Sequence, residues 1–136
     1  MDIFTHLLFG NLTGKIIEKK EPVFNYVLLA GTVFPDIGEV FIQNALSNKY
    51  NEKFAVYDVR TSDLSVANQM SVTWFYDLFH SLAFALLLYL AGRYLLKSKY
   101  TISFAIGLFT HIFLDCATHG KVWALKLFFP VYNERF

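Results

Sequence analysis

Cysteine is almost absent from this chain. The one residue, Cys116, cannot close an internal disulfide and reads as a small buried hydrophobe. Charge is scarce too: 17% of residues are charged, against about 25% in ordinary soluble domains. The net charge of +1 leaves no basic footprint, so no nucleic acid partner is expected from charge. Internal repeats and low-complexity tracts are missing. Asp2 stands where a secretory signal would carry a basic region, and no small-residue cleavage site follows, so the start reads as mature sequence. Histidine is also rare, and all four histidines fall within apolar segments.

Apolar and aromatic residues are what the chain has in plenty. It is 55% hydrophobic, with a mean hydropathy of +0.40, fifteen Phe and eight Tyr. At 136 residues it makes one domain with a single core, spanning 1–136. Its organising stretch runs from His111 to His119 inside an apolar segment. On a helix His111, Asp115 and His119 line one stripe, because positions four apart share a face. Imidazole and carboxylate at that spacing can close on one metal ion. The rival reading is a buried His–Asp pair that satisfies two polar core groups.

Taken in order, residues 2–17 read as a helix with Asp2 as N-cap and Ile3, Leu7, Leu8, Leu12 and Ile16 at helical spacing. Gly10 and Gly14 predict close approach of another helix. A polar break over 18–21 precedes Pro22, which suits the first position of a second helix. Pro35 predicts a kink or end, with Asp36 either turned inward or capping a following helix over 37–46. Residues 47–70 are hydrophilic and read as a long loop, with Phe54 to Tyr57 a possible short strand. Trp74 to Leu96 is the longest helix candidate, nearly a membrane span in its Leu78 to Leu96 part, and Asp77 shares a face with His80 near its start. Beyond His119, Gly120 suits a cap, and Lys121 to Phe129 is a short amphipathic piece stopped by Pro130.

The expected fold is therefore all-α: an antiparallel bundle of four apolar helices, with the long polar loop between the second and third. Alternating direction brings His6, Asp36, His80, His111 and Asp115 to one end. The basic residues Lys15, Lys19, Lys20, Arg93, Lys97 and Lys99 fall at the other. In a membrane, the positive-inside rule makes that basic end cytoplasmic and puts the site at the external face, with membrane lipid as neighbour. A soluble all-α protein with a greasy core is the alternative.

Four blocks in order, Asp2 to Gly10, Gly31 to Ile37, His80–Ser81 and Gly107 to Gly120, give the chain a resemblance to the LexA-regulated, inner-membrane-associated metal-dependent hydrolases. Leu127 to Pro130 is similar to the short piece that often follows. Two departures stand out. Gly38 occupies the place of the family's second acid, with Glu39 beside it. The family's His-Arg-Gly is replaced around Trp74 to Asp77, so its first histidine is missing. More distantly, the order of ligands is similar to the zinc-dependent phospholipase C and single-strand nuclease superfamily. That likeness implies one zinc on His80, Asp36 and His111, with Asp115 bridging to a second held by His6. His119 is a further ligand candidate without a certain partner. The resemblance implies hydrolysis of a phosphoester, on a lipid or lipid-linked substrate, by a water activated at one or two divalent ions, with Asp36, Asp77 or Glu39 as base. The rival from another class is a non-enzymatic membrane protein whose metal only staples the helices.

Overall fold

A computed structural model describes residues 3–50, 74–96, 98–119 and 124–134, with the backbone alone for Glu39 and residues 42–50. Its helices are α1 (Ile3–Ile17), α2 (Pro22–Tyr50), α3 (residues 74–79), α4 (Leu82–Leu95) and α5 (Tyr100–Thr118). Among the described residues there is no strand, and the chain is all-α as expected.

Helix α5 is the centre, packed against α1, α2 and α4, and α1 also lies on α2. The α2–α5 pair is parallel and unusually close. Ser103 Oγ donates to the Phe24 carbonyl, and one turn apart on both helices a Cβ on Gly107 would stand 2.1 Å from the Leu28 oxygen. A further turn on, His111 Nδ1 donates to the Thr32 carbonyl at 2.7 Å. No side chain larger than hydrogen fits at Gly107 while the backbones stay this close.

The other pairs run antiparallel. Gly14 meets Asn25 and Gly10 meets Thr32 across α1 and α2, which is the close approach that the glycine spacing predicts. Gly92 meets Thr101 at one end of α4 and α5, and the His80 ring faces His111 at the other.

Helix α1 is turned inside out. Its buried residues are His6, Gly10 and Gly14, while Phe4, Leu8, Leu12 and Ile16 face outward. Polar and small residues inside with large apolar ones outside is the pattern of a helix whose solvent is lipid. By length and composition α5 is the one described helix able to cross a membrane. Its 19 residues span about 28 Å at 1.5 Å each.

Several expectations are corrected. Helix α2 neither ends nor restarts at Pro35. Asp36 is thus mid-helix and not an N-cap, and the separate helix over 37–46 does not exist. Pro35 is buried, and packing along α5 outweighs the roughly 3 kcal/mol that an interior proline costs. The expected Trp74–Leu96 helix is broken at His80–Ser81, because Ser81 Oγ accepts from Phe84 N at 3.0 Å and caps α4. That leaves α4 with 14 residues, short of a span.

The expected loop starts late, since 47–50 still belong to α2; the Phe54–Tyr57 strand, the Asp2 cap and the Gly120 cap lie outside the described residues. Within the amphipathic piece expected over Lys121–Phe129, residues 124–126 are irregular and 127–131 form turns. This segment instead docks on the bundle. Leu125 is buried, and Leu82 N donates to the Leu127 carbonyl at 2.7 Å, which removes an unpaired amide from the start of α4. Cys116 is exposed rather than buried.

Candidate metal centre

Four parts of the chain place six polar side chains at one point. His6 comes from α1, Asp36 from α2, and His80 from the junction of α3 with α4. His111 and Asp115 stand a turn apart on α5, and His119 is the residue that ends it. The structure thus brings together all six residues that the sequence marks as ligands. His6, His80, His111 and Asp115 are essentially buried. Asp36 is 22% exposed and His119 16% exposed, so the cluster opens on their side.

Asp115 is the hub. Its Oδ1 lies 3.2 Å from His6 Nε2 and 3.4 Å from His119 Nε2, and its Oδ2 lies 3.5 Å from His80 Nε2 and 3.2 Å from His111 Nε2. Asp36 repeats the division from the other side. Its Oδ1 is 3.8 Å from His80 Nε2 and 3.7 Å from His111 Nε2, and its Oδ2 is 3.9 Å from His6 Nε2. Two carboxylates therefore each straddle two groups of imidazoles. Judged by mutual ligand distance, two triads lie within 4.8 Å: His6, Asp36 and His111, and His80, His111 and Asp115. His111 is common to both, because its ring stacks on His6 with centroids 3.9 Å apart.

Hydrogen bonding shows what the cluster is shaped for. His6 Nδ1 and Nε2, His111 Nε2 and Asp36 Oδ2 are buried without a hydrogen bond. Leaving such a group unsatisfied costs about 1–3 kcal/mol. His6 Nε2 and His111 Nε2 approach Asp115 to 3.2 Å without making a hydrogen bond, and the atoms converge on shared points. Ligands 2.0–2.2 Å from a tetrahedral ion stand about 3.3–3.6 Å apart, close to the 3.2–3.9 Å seen between the imidazole nitrogens and carboxylate oxygens. The residues fit divalent cations.

The outer contacts prepare the inner ones. His111 Nδ1 donates to the Thr32 carbonyl, and His80 Nδ1 to the Tyr76 carbonyl at 2.9 Å. A carbonyl only accepts, so in the neutral ring each Nε2 holds the lone pair aimed inward.

The remaining candidates lie elsewhere. Asp77 is in neither triad; its Oδ2 is 2.9 Å from Lys126 Nζ, a pair that ties the C-terminal segment to α3. Glu39 follows three residues after Asp36 on α2, and its side chain lies outside the described residues. Sequence reasoning missed two participants. Tyr76 carries the acceptor for His80, and its only signal was a spacing of four from that histidine. Lys126 had none beyond a charge in an apolar tail.

The profile of the YdjM inner membrane protein family matches residues 1–136, and the chain belongs to this family. No curated protein and no solved structure matches it.

Proposed function

We propose that the protein is a membrane-embedded, metal-dependent hydrolase of phosphoester bonds. The observation that carries the reading is the convergence of four imidazoles on two straddling carboxylates, with buried ligand atoms left unpaired. Such a set matches zinc, and the division of both carboxylates by oxygen favours two ions. His80 and His111 would hold one with Asp36 Oδ1 and Asp115 Oδ2. His6 and His119 would hold the other with Asp36 Oδ2 and Asp115 Oδ1.

Bound divalent ions supply Lewis acidity, polarising a phosphoryl oxygen and lowering the pKa of water. The chain's own residues do the rest. Asp115, almost fully buried, holds the geometry and supplies negative charge. Asp36 is the carboxylate that solvent reaches, and it is placed to orient the attacking water and accept its proton. Asp77 is engaged by Lys126, which leaves the role of base to Asp36. The outward apolar faces of α1 and α4 keep the site in lipid surroundings, so an amphiphilic substrate such as a lipid-linked phosphate fits best. With the basic residues of the two helix connections at the opposite end, the site faces outward from the cytoplasm.

One observation favours the staple instead: ligands from α1, α2 and α5 are drawn together in the most buried part of the bundle. The deciding experiment uses protein purified in mild detergent, elemental analysis, and a panel of phosphomonoesters, phosphodiesters and lipid phosphates. The expected result is about two zinc ions per chain and turnover that Asp115→Asn abolishes with the helical spectrum intact. Full metal loading without turnover on any substrate would favour the staple. Metal-free protein that ignores added zinc would end both readings.

A further inference from the structure

Tyr76 touches both halves of the cluster by three different parts. Its ring stacks on His80 with centroids 4.2 Å apart, at an interplanar angle of 21°. Its carbonyl accepts from His80 Nδ1 at 2.9 Å. Its hydroxyl lies 3.2 Å from His119 Nδ1. These three contacts differ in what they impose. Ring and carbonyl fix His80 whatever the hydroxyl does, because neither contact involves it. The hydroxyl is the atom that meets His119 Nδ1.

His119 needs such a partner more than the other histidines do. It stands just past the end of α5 with extended backbone (φ −79°, ψ 128°), so the helix does not set its direction as it does for His111. It is also the most exposed of the four, where rotamers are least constrained by packing. A hydroxyl accepts as well as donates. When Tyr76 Oη accepts the Nδ1 hydrogen, His119 Nε2 holds the lone pair that faces Asp115 Oδ1 at 3.4 Å.

Tyr76 is itself firmly placed. It is 5% exposed and belongs to the core cluster with Ala85, Leu108, Ile112 and Leu125. The next residue, Asp77, is held by Lys126, and Trp74 packs edge-on against Phe129 at 5.7 Å. The C-terminal segment thus braces α3, and α3 delivers the hydroxyl.

We propose that Tyr76 is a positioning residue that sets His119 as a ligand, through its hydroxyl, and so makes the second of the two cation sites. The inference rests on the two-ion reading of the cluster. It assigns the sites unequal dependence on one oxygen atom: the His6–His119 site requires it, and the His80–His111 site does not.

The test is zinc titration by calorimetry, with elemental analysis, on full-length wild type and Tyr76→Phe in detergent. Phe keeps the ring stack and the backbone carbonyl and removes the hydroxyl alone. The expected result is two ions on wild type, and on Tyr76→Phe one site unchanged with the other weakened about 10–100-fold. His119→Ala should weaken the same site, and the double variant should be no weaker there than His119→Ala alone. Two sites of unchanged affinity in Tyr76→Phe would overturn the positioning role while leaving the two-ion reading standing. Equal weakening of both sites would overturn the division of labour. Wild type that binds one ion or none would remove the two-ion reading itself, and this inference with it. Circular dichroism of each variant separates loss of a site from loss of fold.

Discussion

The two ends of the bundle treat polar groups in opposite ways. At the basic end, Glu21 between α1 and α2 meets Lys99 Nζ at 2.5 Å and Tyr100 Oη at 3.0 Å, at or near the surface, and Asn25 Nδ2 donates to the Glu18 carbonyl just past α1 at 3.1 Å. Apart from the buried Asn25 Oδ1, those groups answer one another. At the other end, six ionisable residues surround shared points, four of them buried, and several ligand atoms make no hydrogen bond. The first arrangement closes the ends of helices and contributes little, since solvent screens exposed ion pairs. The second leaves buried ligand atoms without hydrogen bonds, and a bound cation would satisfy them. Convergence of several such atoms on shared points, rather than polarity as such, distinguishes a site from a decoration.

The sharpest way to break this contrast is to remove the cation. With zinc in roughly hundredfold excess over Kd, each ion should add about 2.7 kcal/mol to stability, read as a large fall in Tm on chelation. His6→Phe keeps the stack on His111 and deletes two orphaned nitrogens. In chelated protein it should raise Tm, while in zinc-loaded protein it should lower Tm and remove one ion. If the cluster were a self-sufficient polar network, His6→Phe would lower Tm in both conditions.

A smaller effect is expected at the brace. Lys126→Met takes the cation from the buried Asp77 carboxylate and should cost about 1–3 kcal/mol in chemical denaturation. Adding Asp77→Asn should recover part of that loss; full additivity would show that the pair is not coupled.

The smallest effect belongs to the basic end. Lys99 and Tyr100 hold the Glu21 carboxyl below its ordinary value of 4.5. Its small contribution is present above that value and lost as pH falls through the lower folded value. The hydrogen bond from Glu21 raises Lys99 above its ordinary 10.5, so that share is kept below 10.5 and fades as pH rises past the higher folded value. Glu21→Gln should barely move Tm at neutral pH and should flatten the slight acid dependence. A large loss would place this end among the determinants of stability and dissolve the contrast.

Much of the site was legible because alternating helices force a level on their residues. His6, Asp36, His80, His111 and Asp115 agree in height once the directions alternate, and the oxygen-by-oxygen division is the part that spacing cannot supply. Helical spacing put His119 on the stripe of Asp115, and the Tyr76 hydroxyl that meets its other nitrogen comes from α3, which spacing along one helix does not reach. The fold class was legible from the apolar segments, and so was the junction at Pro22, but those at Pro35 and Ser81 were not. Pro35 announced a kink or an end, and packing against α5 carried the helix through it, while Ser81 supplied an N-cap inside a run whose apolarity concealed it. Tyr76 is one of eight tyrosines, and nothing local separates it from those that only fill space. In α1 the apolar pattern was read correctly as a helix, yet its apolar face points outward, because hydrophobic periodicity does not say which solvent lies on which side.

The parallel pairing of α2 with α5 carries a further consequence. Phe24 with Ser103 and Thr32 with His111 are each separated by 79 residues, and Leu28 with Gly107 and Asp36 with Asp115 keep the same offset. Rungs therefore recur every four residues along both helices, and one of them admits only glycine. Slipping by one turn would push a side chain into the Gly107 rung and separate the two carboxylates by a helical pitch. Alignment is thus encoded like teeth on two racks, independently of the connecting chain. Insertions and deletions between α2 and α3 are free to accumulate without detuning the centre, whereas a single residue gained or lost within either rack would dismantle it.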